Sequence, residues 1–118
     1  MPREAFDKSK RLLTQQVFQK VFDKASYRVA DRHFLILACP NLSGHARLGL
    51  VIGKKNIRLS VHRNRIKRVA RETFRHHQHS FAGIDIIFLA RRGLDKVPKS
   101  AFSSTLSQAW VQLALNTK

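Results

Sequence analysis

The residues best suited to chemistry stand together in the stretch HRNRIKRVARETFRHHQH, residues 62–79. Its one carboxylate, Glu72, precedes His76 by four positions, so on a helix the two share a face, as a general acid–base pair would. A catalytic site needs a third converging group, and the sequence supplies none. His76, His77 and His79 suggest a metal, but zinc sites combine paired Cys and His ligands at loop spacing. The lone Cys39 lies far away in the apolar run FLILAC, where it reads as a small buried residue. GKKN, 53–56, lacks the GxxxxGK[ST] pattern of a phosphate-cradling loop. Neither catalytic residues nor a protein-bound metal is therefore expected. The abundant chemistry is cationic, with six Lys or Arg in residues 62–75 against Glu72 alone.

Advancing 100° per residue, His62, Val69, Ala70 and Thr73 lie within about 60° of Ile66, with Phe74 at the margin. Asn64, Arg68, Arg71 and Arg75 gather on the opposite side, flanked by Lys67. One face belongs to a core and the other is a ridge of like charge. Like charges at i,i+3 and i,i+4 destabilise an isolated helix by a few tenths of a kcal/mol per pair. Something outside the helix must offset them. Guanidinium groups bind phosphate oxygens in bidentate fashion, and a phosphate backbone releases counterions when it is neutralised.

The whole chain points the same way. Its 118 residues carry 23 Lys and Arg against 7 acids, a formal charge of +16 and a pI near 11.5. From Arg32 to Ile84 the single acid is Glu72, so a face of mixed, merely solubilising charge is excluded. A polyanionic partner is expected, and nucleic acid fits best. No helix-turn-helix, basic zipper or zinc-finger spacing favours DNA, whereas a sheet-plus-helix domain suits RNA. A membrane partner is not expected, because no apolar helix face is paired with the basic one and no lipidation signal is present. No secretory or transmembrane segment is apparent, so the expected location is cytoplasmic.

The elements that must carry the ridge follow from periodicity. Residues 1–13 read as a flexible basic arm, and Thr14 as an N-cap for a helix over about 15–25. Val17, Phe18, Val21 and Phe22 form its apolar stripe. Residues 33–39 read as a strand covered on both faces, with Phe34, Ile36 and Ala38 on one side and Leu35 and Leu37 on the other. After a turn at Pro40 to Gly44, residues 47–53 form a second strand, which suggests an antiparallel hairpin. Residues 83–92 form a further buried strand, and Pro98 and Ser100 announce a helix cored by Phe102, Leu106, Trp110 and Leu113. The expectation is one RNA-binding domain over 1–118 of α+β class, an α/β sandwich ordered α-β-β-β-α-β-α. Its mixed sheet has about four strands.

RNRIKR, Arg63 to Arg68, resembles the signature of the bacterial ribonuclease P protein subunit. RLGLVIGKKN, VFQKVF and DRHFLIL resemble that family's strand and loop, first helix and first long strand, so the resemblance runs in order through residues 11–92. It implies an accessory subunit of an endonuclease whose catalytic RNA removes the 5′ leader of precursor tRNA with magnesium held mainly by the RNA. It also implies a left-handed βαβ crossover, against the usual right-handed preference. Arg63, Asn64, Arg65, Lys67, Arg68 and Arg71, with Arg75 extending the ridge, would dock on the RNA subunit. A cleft between the first helix and the sheet would hold the leader through Phe18, Phe22, Leu35 and Leu37, with Lys54 and Lys55 at its mouth. Some members place Tyr where Leu37 stands here, and the IRLSVH segment departs from a small-residue loop. The protein is expected to be monomeric apart from RNA. The alternatives are a ribosomal or RNA-chaperone protein, and a stand-alone ribonuclease using Glu72.

Overall fold

The computed structural model describes residues 15–117; Thr14 and the basic arm 1–13 lie outside the described residues. Among the described residues the order is α1 (Gln15–Lys24), β1 (Tyr27–Ala30), β2 (Phe34–Pro40), β3 (Arg47–Val51), α2 (Ser60–His77), β4 (Ile84–Ala90) and α3 (Lys99–Asn116). Short 3-10 turns at Gln78–Ser80 and Leu94–Lys96 follow α2 and β4. The strands make one mixed sheet in spatial order β1-β2-β4-β3.

The hairpin expected between β2 and β3 does not form. β4 lies between them, antiparallel to β2 and parallel to β3. The physical reason is that IDIIFLA of β4 is the strand buried most fully on both faces, so it takes a central position with a partner on each side. The connection from β2 to β3 then bridges two strand spacings, roughly 10 Å, across the end of β4. It is pinned there: the Asn41 amide N–H donates to Gly83 O at 2.9 Å, and Asn41 Nδ2 donates to Asp85 Oδ1 at 2.7 Å. A Cβ at residue 83 would meet Asn41 Oδ1 at 2.8 Å, so the close approach requires Gly83.

Alternation in β2 sorts its side chains as expected. Phe34, Ile36 and Ala38 join the large core with Phe88, Ile86, the buried faces of α2 and α3, and Ile57 from the loop before α2. Leu37 and Cys39 join a smaller cluster on the other face under α1, with Val21 and Ile87. Burial of the Cys39 thiol, followed by the nearby Asp85 charge, pushes its pKa up, which disfavours the reactive thiolate.

Within the large core α2 and α3 are joined by a polar contact. Trp110 Nε1 donates to Thr73 Oγ1 at 2.9 Å, and Thr73 Oγ1 in turn donates to Val69 O at 2.8 Å. Trp110 is fully buried, so Thr73→Val leaves its indole N–H without an acceptor. An unmatched buried donor costs about 1–3 kcal/mol. Urea unfolding of Thr73→Val should therefore show a lower midpoint at an unchanged m-value.

Candidate nucleic-acid interface

α2 carries its apolar face inward and its charge outward, as the 100° spacing predicts. Ile66, Val69, Ala70, Thr73 and Phe74 are buried. Asn64 and Arg68 are exposed, and Lys67, Arg71 and Arg75 are partly exposed. The helix begins without a side-chain cap at Leu59, and Arg63 steadies that end. Arg63 Nη1 donates to Ile57 O at 3.0 Å and to Arg58 O at 2.8 Å. Arg65 Nη2 donates to Asp95 O at 3.0 Å. These two arginines brace the helix against its flanking loops and keep further N–H donors for a partner. The outer set is Asn64, Lys67, Arg68, Arg71 and Arg75.

A second surface lies on the α1 face of the sheet. Phe18, Val17 and the half-buried Leu35, Val51 and Leu89 pack around the Val21, Leu37, Cys39 and Ile87 cluster. Register places Leu35 beside Leu89 and Leu89 beside Val51, one apolar row across three strands. Leu37 is only 8% exposed and lies beneath α1, while Phe22 is 43% exposed on its flank. α1 packs on β2 and β4, with the edge strand β3 beside it. Lys54 and Lys55 are exposed in the turn just after β3, beyond the Val51 end of the apolar row.

Two features escaped the sequence reading. Asp85, mid-strand and 1% exposed, receives both Arg47 Nε at 2.7 Å and Arg47 Nη2 at 2.8 Å. This hydrogen bonding raises the Arg47 pKa further above its ordinary value. An aspartate inside an apolar strand run was a visible oddity, but its partner stands on another strand. The other feature is a hollow of about 580 Å³ near the start of α2, lined by Lys55, Arg58, Arg92 and Lys96 together with Asp95 and Gly93. Its cations come from the loops before α2 and after β4, and only the fold gathers them.

Glu72 and His76 are both exposed on α2. Among the described residues no three His, Cys, Asp or Glu side chains gather to hold a metal ion. Magnesium prefers carboxylate oxygens, and the buried Asp85 is already taken by Arg47. The described donor set therefore does not fit a magnesium site. Among the described residues no helix is long and apolar enough to cross a membrane.

A mixed sheet that buries one face of a cationic helix and leaves the other to solvent defines a small RNA-binding domain. Residues 6–114 match the family model described as Ribonuclease P. Over 111 residues the chain is 50% identical to the ribonuclease P protein component of Stutzerimonas stutzeri, covering 94% of this chain and 85% of that one. It is 47% identical to that of Pseudomonas aeruginosa, covering 94% and 82%. The fold superposes on the Staphylococcus aureus RNase P protein with a TM-score of 0.79 at 32% identity, covering 86% of this chain and 93% of that one. For the Thermotoga maritima protein the TM-score is 0.72 at 26% identity, covering 83% and 92%. The chain belongs to the ribonuclease P protein family. It is the non-catalytic protein subunit of that tRNA-processing ribonucleoprotein, which closes the ribosomal, chaperone and stand-alone nuclease alternatives.

Proposed function

We propose that the outer face of α2 is the surface by which this subunit docks on the catalytic RNA, and that the groove beside α1 holds the 5′ leader of precursor tRNA. The observation that carries the reading is the segregation on α2: five apolar or neutral side chains buried, and Lys67, Arg68, Arg71 and Arg75 on the opposite side. Arg68, with Asn64, leads the contact; Arg63 and Arg65 hold the helix in place and lend their remaining donors. Magnesium is assigned to the RNA, in keeping with the donor chemistry of the protein. The subunit works in the cytoplasm as a monomer that pairs with RNA, since chains of charge +16 repel one another until a polyanion neutralises them.

In the groove Phe18 and Phe22 offer aromatic faces, the half-buried Leu35 forms the apolar floor while Leu37, beneath α1, supports it from below, and Lys54 and Lys55 meet phosphates. Stacking on an aromatic face tolerates any base, as a leader of variable sequence requires, and contributes about 1–3 kcal/mol per base. Phe18→Ala in the holoenzyme should therefore weaken binding of a precursor with a long leader by about fivefold to a hundredfold. Leaderless tRNA should bind the same variant as it binds the native holoenzyme. Equal loss on both substrates would assign Phe18 to packing alone. Measuring both on one preparation removes any effect of Phe18→Ala on folding.

A further inference from the structure

At the end of the sheet where β3 begins, register sets Cys39, Asp85 and Arg47 side by side across β2, β4 and β3. Their neighbours Ala38, Ile86 and Leu48 belong to the large core, so by alternation these three side chains lie on the α1 face. Asp85 is buried and holds the Arg47 guanidinium through Nε and Nη2. Arg47 Nη1 makes no hydrogen bond among the described residues and keeps contact with solvent, in a side chain that is 28% exposed. Its N–H donors are therefore aimed outward by a fixed fork rather than by a flexible stem.

α1 brings two further cations to the same end. Val21 is fully buried and points at the sheet. At 100° per residue Lys20 and Lys24 fall about 100° and 60° to one side of Val21, and Phe18 and Phe22 about 60° and 100° to the other. The lysines thus occupy the flank turned away from the aromatic pair, and both are exposed. Burial and then the Asp85 charge push the Cys39 thiol up, while Lys20, Arg47 and Lys24 all act against that shift, so the three cations surround one buried atom. Neither lysine makes an ion pair among the described residues: Asp23 accepts from Gln19 Nε2 at 2.9 Å, and Asp85 is taken by Arg47. Like charges one turn apart disfavour α1 until something neutralises them.

We propose that Arg47, Lys20 and Lys24 form a phosphodiester site for RNA, separate from both the α2 ridge and the Phe18 and Phe22 flank of α1. Arg47 Nη1 donates to a phosphate oxygen, and the lysines supply the net charge, because Asp85 already offsets that of Arg47. A donor fixed before binding loses little freedom on binding. The site depends on neither the docking of α2 nor the leader groove. A phosphate of the precursor and one of the RNA subunit offer the same chemistry, and two binding equilibria tell them apart.

The test measures binding of the RNA subunit by the protein and of precursor tRNA by the holoenzyme, each over a range of salt. Lys20→Gln combined with Lys24→Gln, at two exposed positions, should weaken one of the two by about tenfold. The slope of log K against log salt for that same equilibrium should flatten by about 0.7–0.9, the loss of one phosphate. Arg47→Met combined with Asp85→Leu removes the guanidinium together with the carboxylate it covers, and should reproduce the loss on the same partner. The partner affected is the source of the phosphate. Arg32→Gln combined with Lys99→Gln takes the same charge from exposed positions elsewhere and should leave both equilibria within about twofold of native. Native affinity and native slope for both partners in the lysine variant would overturn the proposal. An equal loss in the Arg32 and Lys99 variant would also overturn it, by reducing the effect to overall charge.

Discussion

Replacing Arg68, Arg71 and Arg75 together by glutamine is expected to weaken binding of the RNA subunit by about 3–6 kcal/mol, roughly 150-fold to 20,000-fold. Each guanidinium contributes a charge-assisted contact of about 1–3 kcal/mol, and glutamine, shorter and with fewer N–H donors, keeps a polar end but no charge. The salt response separates this from general damage. If the native protein contacts about five phosphates, log K should fall with log salt at a slope of roughly −3 to −5. Removing three of those contacts should flatten the slope by about 2–3. Thermal unfolding should change little, because none of the three is a core residue and removing like charges at i,i+3 and i,i+4 relieves a few tenths of a kcal/mol per pair. A variant that binds as tightly as the native chain, with the native slope, would remove α2 from the interface.

Arg47→Met should destabilise the fold by about 3–5 kcal/mol. Methionine replaces much of the aliphatic stem but strands Asp85, 1% exposed, without its cation. Asn41 Nδ2 remains as a donor at 2.7 Å but carries no charge. The loss corresponds to a fall of roughly 10 °C or more in Tm for a chain of this size. Adding Asp85→Leu to Arg47→Met should restore most of the stability, since the penalty comes from the unpaired buried carboxylate rather than from the loss of the bridge. Failure of the second substitution to rescue the first would show that the pair supports the fold in another way. Asn41 would be the place to look, because it links Asp85 to the loop that crosses the end of β4.

Much of the cationic surface of α2 was legible in the linear order of residues. A helix is a local object, so the spacing of Ile66, Val69, Ala70 and Thr73 specified its buried side and left Arg68 opposite before any neighbour was known. Strand faces were legible for the same reason: alternation in Phe34, Leu35, Ile36 and Leu37 divides them between two clusters in the structure. Pairing was not legible. β2 and β3 follow one another with a turn between, and a hairpin is the local solution; insertion of β4 depends on a strand that begins at Ile84, after all of α2.

The candidate sites divide along the same line. Phe18, Leu35 and Leu37 meet because α1 crosses β2 and β4, a packing choice that no single stretch contains. Arg47 and Asp85 are 38 positions apart, and Lys20 and Lys24 come near them only because α1 lies across the sheet.

By itself the sequence determined that the chain is a basic α+β domain with one helix split between core and cations, because charge balance and periodicity are properties of neighbours along the chain. Only the tertiary structure decided which strand is central, which arginines turn back to brace the helix, and which cations gather around Arg47. Those depend on contacts between residues far apart in order, whose net favourability is settled by the burial of the whole core at once.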